Sequence, residues 1–165
     1  MNPDMSNWSL REAKDWLLGL VRKGVICPCC HQFAKVYERR VTSTMAAGLI
    51  QMYRMTRESP RKPLHINQVI AACKYMTGPG DFAKLACWEL IEEAQPATPD
   101  PSKSNQGFWR ITGLGERFVL GDATIPTTAV IYAGNLIRLE GDFINIYQCL
   151  RNKFDYRELM GYGKN

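Results

Sequence analysis

The 165-residue sequence predicts a single α+β domain. Three observations predict it. A composition that is 45% hydrophobic and 22% charged suits a packed core and excludes wholesale disorder. Apolar residues recur at helical spacing in the first half, between 9 and 24 and again between 42 and 91. Short alternating runs bounded by Gly, Asn and Pro take over at 108–112 and beyond 129. The length fits one core with additions at either end, divided as 1–41, 42–120 and 121–165.

The first helix is announced by Ser9 and Glu12, an S-x-x-E capping box, followed by Leu10, Ala13, Leu17, Leu20 and Val21, with Gly24 as its stop. Charges inside this apolar stripe and an early acid make it an amphipathic helix and not a signal peptide. Val25 to Phe33 carries three cysteines, and Ala34 to Tyr37 alternates. A second helix is expected from Thr42 or Ser43 to about Arg57, with Met45, Ala46, Leu49, Ile50, Met52 and Tyr53 on its apolar face and Pro60 and Pro63 beyond its end. Leu64-His65-Ile66 has room for one pairing strand. Asn67 is the expected cap of a third helix carrying Val69, Ile70, Cys73 and Met76.

Gly78-Pro79-Gly80 forces a turn, and Asp81 is the expected cap of a fourth helix. There, Ala83, Ala86, Cys87, Leu90 and Ile91 fall at i, i+3, i+4, i+7 and i+8. That spacing leaves Asp81, Lys84, Leu85 and Trp88 outward. Gln95 to Gly107 is rich in Pro, Ser and Asn and reads as a long loop. Phe108 to Thr112 returns as a strand, and Gly113 to Leu120 is a short helix. Ala129–Tyr132 and Leu136–Leu139 flank Gly134-Asn135, the expected hairpin turn. Phase continues to Phe143–Tyr147 as a third strand of a meander, and Asp155 caps a last short helix near Met160.

Charge is uneven. The total is +5, and the segment from Lys35 to Lys62 holds all of it: Lys35, Arg39, Arg40, Arg54, Arg57, Arg61 and Lys62 against Glu38 and Glu58. A concentrated basic segment attracts phosphate, although a solvated helix face has the same composition.

Helices with a tight turn between them, then a strand, a loop and a returning strand, bring in a resemblance. Lys84-Leu85-Ala86-Cys87-Trp88-Glu89-Leu90-Ile91-Glu92 resembles the third helix of the winged helix-turn-helix superfamily running into its strand. Gly107-Phe108-Trp109-Arg110-Ile111-Thr112-Gly113-Leu114-Gly115-Glu116-Arg117-Phe118 resembles the second wing strand and the helix after it. The resemblance spans about residues 42–120, so the fold it implies is a winged-helix core with an N-terminal helix and cysteine knuckle before it and a hairpin or meander after it. The whole chain also resembles small proteins of phages and bacteria. The resemblance implies duplex DNA as partner, with the third helix in the major groove. Base-edge reading wants Arg, Lys, Asn or Gln, and the expected outward face offers only Lys84 beside an acid. Phosphate-led contact through Arg39, Arg40, Arg54, Arg57, Arg61, Lys62 and Lys84 is therefore the expected mode. The alternative is a protein-interaction module or inhibitor that docks through outward Trp88 and Leu85 and the C-terminal hairpin.

Cys27 and Cys30 form one C-x-x-C, the turn that aims two thiolates at one zinc ion. A closed site needs four ligands, and the remaining cysteine and histidine candidates are His31, His65, Cys73, Cys87 and Cys149. Zinc is thus an expectation with half its ligands. A redox reading of Cys-Pro-x-Cys needs a strand before it and a helix after it, and here a helix precedes. No P-loop, nucleophile elbow or H-E-x-x-H occurs, so a non-enzymatic protein is expected. Six cysteines beside an ordinary core suit the reducing cytoplasm better than a secreted disulfide scaffold. The chain has no apolar run of about eighteen residues for a membrane span.

Overall fold

A computed structural model describes residues 3–163, in which six α-helices and one 3-10 helix combine with small antiparallel sheets. Helix α1 (Leu10–Leu20) opens on its capping box: the Ser9 hydroxyl accepts from the Glu12 N–H, and the Glu12 carboxylate accepts from the Ser9 N–H at 2.7 Å. Strands β1 (Val25–Ile26) and β2 (Phe33–Ala34) pair as a small ribbon with the cysteine turn at its tip. Strand β3 (Val36–Arg40) runs further than the alternation at 34–37 suggests. A partner far along the chain extends it, pairing Val36 with Tyr132 through to Arg40 with Thr128.

Helix α2 (Ser43–Thr56) begins where expected, with the Thr42 hydroxyl accepting from the Met45 N–H at 3.2 Å. It is the axle of the molecule. Met45, Ala46, Ala47, Leu49, Ile50 and Met52 are buried around it, and it packs against α3, α4, α5 and α6, β6 and the 3-10 helix. Gly48 permits a close approach of Met76 and the 3-10 helix, because a Cβ there would lie 2.7 Å from the Met76 sulfur and 3.0 Å from the Phe82 ring.

Strand β4 (Leu64–His65) leads directly into α3 (Ile66–Ala72). The cap is His65, two residues before the expected Asn67. Its Nδ1 accepts from the Asn67 N–H at 3.1 Å, while the Gln68 side chain accepts from the His65 N–H at 2.8 Å. Sequence rules for caps favour Asn over His, but an imidazole nitrogen with a Gln three residues on completes the same reciprocal box.

The expected fourth α-helix is a 3-10 helix, Phe82–Trp88. Three residues per turn put Phe82, Leu85 and Trp88 on one side, and they are 1%, 0% and 2% exposed. The α-helical spacing had placed Leu85 and Trp88 outward; the tighter winding turns both into the core. Trp88 Nε1 donates to the Pro126 carbonyl at 2.6 Å, tying this helix to the hairpin beyond. Glu89, at φ 58°, ends the helix, so Leu90 and Ile91 lie past it.

Strands β5 (Ile91–Glu93) and β6 (Phe108–Ile111) join β4 in a sheet of order β4-β6-β5. Thr112 caps α4 (Gly113–Val119), accepting from the Gly115 N–H at 3.0 Å, so the helix starts where expected.

Strands β7 (Ile125–Tyr132) and β8 (Asn135–Ile144) form the second large sheet with β3, ordered β3-β7-β8. Their turn is Ala133-Gly134, both at positive φ, one residue before the expected Gly134-Asn135. Asn135 already pairs with Tyr132, and its amide donates to the Ala133 carbonyl. Phe143 and Ile144 end β8 and begin no third strand of a meander. Asn145 and Gln148 form a capping box that starts α5 (Ile146–Leu150) instead. Asp155 caps α6 (Tyr156–Met160) as expected. One hydrophobic cluster runs from Val41 to Met160, and α1, β1, β2 and β3 lie outside it.

Candidate functional site

The basic residues that share one stretch of sequence separate into two groups in space. Arg39 and Arg40 are exposed on β3, just before the start of α2, and Arg39 lies 5.7 Å from the Tyr37 ring centroid. Arg54, Arg57, Arg61 and Lys62 lie at and beyond the other end of α2. A helix of 14 residues separates the groups by about 20 Å.

Arg54 is held by the fold. Its Nη1 donates to the Leu159 carbonyl at 3.0 Å, and its guanidinium covers Gly161, where a Cβ would come within 2.7 Å of Nη2. It therefore satisfies a carbonyl at the end of α6, the usual place for a cation.

Arg57, Arg61 and Lys62 are exposed and form no ion pair among the described residues. They occupy the turn from α2 into β4, where Ser59 to Pro63 and Ala97 line one shallow cleft. Strand β4 pairs with β6 at Leu64–Trp109 and His65–Phe108, and the Ala94 N–H donates to the Phe108 carbonyl at 2.9 Å. These bonds fix Arg61 and Lys62 beside the base of the loop between β5 and β6. Within that loop, Lys103 is 3.7 Å from Asp100.

The outward side of the 3-10 helix is poor in cations. It presents Ala83, Ala86 and Cys87 with half-buried Lys84, and then Glu89, Glu92 and Glu93 follow. Arg110 pairs with Glu92 across the sheet. This side is acidic, so it does not continue the basic group at the end of α2. Leu85 and Trp88 offer no docking surface, since both are core residues.

A second concavity of about 640 Å³ lies between α1 and the outer face of β3-β7-β8. Arg22, Lys35 and Arg138 line it with Glu38, Leu18 and Ile137. Its cations come from three distant stretches, which no sequence spacing connects. Arg138 is already paired with Glu140 at 2.8 Å.

Compared with protein families, curated proteins and solved structures, the chain matches none.

The cysteines divide by burial. Cys73 and Cys149 are core residues, and burial pushes the Cys149 thiol up to about 12. Burial also raises Cys87. Cys29 and Cys30 are exposed and Cys27 is half-buried in the β1–β2 turn. The Cys27 sulfur accepts the backbone N–H groups of Cys30 and Cys29, which hold its thiol below the ordinary range. Of the other expected ligands, His65 is engaged as a helix cap, and no group of three His, Cys, Asp or Glu among the described residues converges on a metal position. No helix among the described residues is long and apolar enough to cross a membrane.

Proposed function

We propose that this chain is a non-enzymatic, winged-helix protein that binds duplex DNA through phosphate contacts. The observation that carries the reading is the unpaired cations Arg61 and Lys62 beside the base of the β5–β6 loop, with Arg57 unpaired at the end of α2. In the proposed core, α2, α3 and the 3-10 helix are the three helices, β4-β6-β5 is the small sheet, and residues 94–107 are the wing. Element order and sheet order both support this. The wing brings few charges of its own, so the cations at its base supply the attraction. The short 3-10 helix and its acidic neighbours favour backbone contact over base reading. Arg39 and Arg40 extend the contact only if the duplex spans the length of α2.

Anisotropy of a fluorescent duplex, titrated at several salt concentrations, tests the reading. Affinity should fall linearly on logarithmic axes, and Arg61→Ala with Lys62→Ala should reduce the slope by about two. Absence of binding at low salt, or a slope unchanged in the double variant, overturns it. A second reading, docking on a protein partner, keeps only the C-terminal hairpin, where Leu136, Ile137 and Phe143 of β8 are exposed. It predicts that Ile137→Glu abolishes partner binding and leaves the salt slope untouched.

A further inference from the structure

The concavity of about 640 Å³ between α1 and the outer face of β3-β7-β8 takes no part in the DNA-binding reading, and Arg57, Arg61 and Lys62 do not line it. Its floor is apolar and closed. Glu38, Val130 and Arg138 pair across the three strands as one row, so their side chains share a face of the sheet. Val130, in the middle of that row, and Val21, the C-cap of α1, are 1% and 6% exposed, and both lie outside the main hydrophobic cluster. Leu18 and Ile137 wall the space, and each is half exposed.

Two cations stand at one end of it. The Val36 N–H donates to the Val21 carbonyl at 2.9 Å, and this bond sets Lys35 beside Arg22. Neither forms an ion pair among the described residues, whereas Arg138 is held by Glu140. Glu38 lies two residues farther along β3, about 7 Å from Val36. Unpaired positive charge is therefore concentrated where Val21 meets Val36, and a single acid lies away from it.

Gly19 supplies a further observation. It lies within α1 and lines the concavity, yet a Cβ there would meet no heavy atom within 4 Å. No neighbour among the described residues requires glycine at this position, and glycine weakens a helix interior. What its missing side chain provides is open room between α1 and the sheet.

We infer that this concavity binds a small apolar monocarboxylate, an acyl chain ending in one carboxylate. The carboxylate sits between Arg22 and Lys35, and the chain runs over Val130 between Leu18 and Ile137. The volume falls in the range of small-molecule sites, which combine apolar walls with a few polar groups that fix orientation. A guanidinium beside an ammonium suits a carboxylate. A bare phosphate would leave the apolar floor unused. Glu38 sets the ligand charge at one, because a second anionic group farther along the concavity would meet its carboxylate. Binding makes and breaks no covalent bond.

Calorimetry of the full chain with octanoate tests this. The expected result is one octanoate per chain, with octylamine, octanedioate and inorganic phosphate each binding at least about tenfold more weakly. Arg22→Glu with Lys35→Glu should lower octanoate affinity by about tenfold or more at an unchanged thermal midpoint. Gly19→Trp fills the room and should abolish binding. Gly19→Ala adds one methyl group in open space, so it should keep binding and raise the thermal midpoint. No saturable octanoate uptake, or equal uptake of any of the three comparison solutes, overturns the inference. So does unchanged octanoate affinity in a folded Gly19→Trp or a folded charge variant. Pelleting of the chain with anionic phospholipid vesicles that octanoate does not reverse assigns the surface to a membrane and overturns it too. The comparison of octanoate with octylamine on the unmodified chain decides the matter even if a variant does not fold.

Discussion

Arg54 and Arg57 stand one helical turn apart in the same basic stretch, yet they do different things. Arg54 holds the Leu159 carbonyl and covers Gly161, so Arg54→Ala should lower stability by about 1 kcal/mol in urea unfolding while the salt slope for DNA stays as it was. Arg57 has no such partner, and its loss should do the reverse. Gly115 is needed for space: a Cβ there would lie 2.1 Å from the Leu90 carbonyl oxygen. Gly115→Ala should therefore force α4 away from Leu90 and cost about 2 kcal/mol or more, read as a lower thermal midpoint. Cys149 adds a pH effect. Its thiol stays protonated in the fold to about 12 because of burial, against 9.0 when free. Above pH 9 the unfolded chain can shed this proton and the folded chain cannot, so stability should fall from pH 9 toward 12. Urea midpoints at pH 8 and pH 10 check this, and Cys149→Ala should flatten the difference.

Elements whose signals are local were legible in the sequence. The Ser9–Glu12 box, the Thr42 cap, the Thr112 cap and the Asp155 cap each start a helix where expected, because a cap depends on residues within one turn of itself. The 3-10 helix was not legible. Ala83, Ala86, Cys87, Leu90 and Ile91 satisfy an α-helical stripe, while Phe82, Leu85 and Trp88 satisfy a three-residue one. Packing against α2, β5, β7 and β8 and the bond to the Pro126 carbonyl select the second. The candidate site inherited this error, since the outward Trp88 and Leu85 depended on the wrong period. Strand β3 was half legible for a related reason: its partner lies about ninety residues away, in β7. Trp88→Ala should consequently destabilise the fold by about 3–5 kcal/mol, and Trp88→Phe by less, with loss of the bond to Pro126 as one part. A Trp88→Ala variant that keeps its thermal midpoint would refute the core role.

For the whole molecule, the net charge of +5 was legible, but its division was not. A linear stretch became two groups about 20 Å apart because a 14-residue helix lies between them. One cation was diverted to a helix end. The salt dependence of DNA binding belongs to this scale, since it counts phosphate contacts made by the assembled surface. The Trp88–Pro126 bond also acts at this scale, because it joins residues on either side of position 120. A fragment stopping at Leu120 would leave the Trp88 ring uncovered and remove Ile125, Ala129, Ile131, Ile146 and Leu150 from the cluster it shares. The last quarter of the chain is therefore no detachable appendage. During synthesis, the core around α2 cannot close before α5 and α6, which pack against that helix, have emerged.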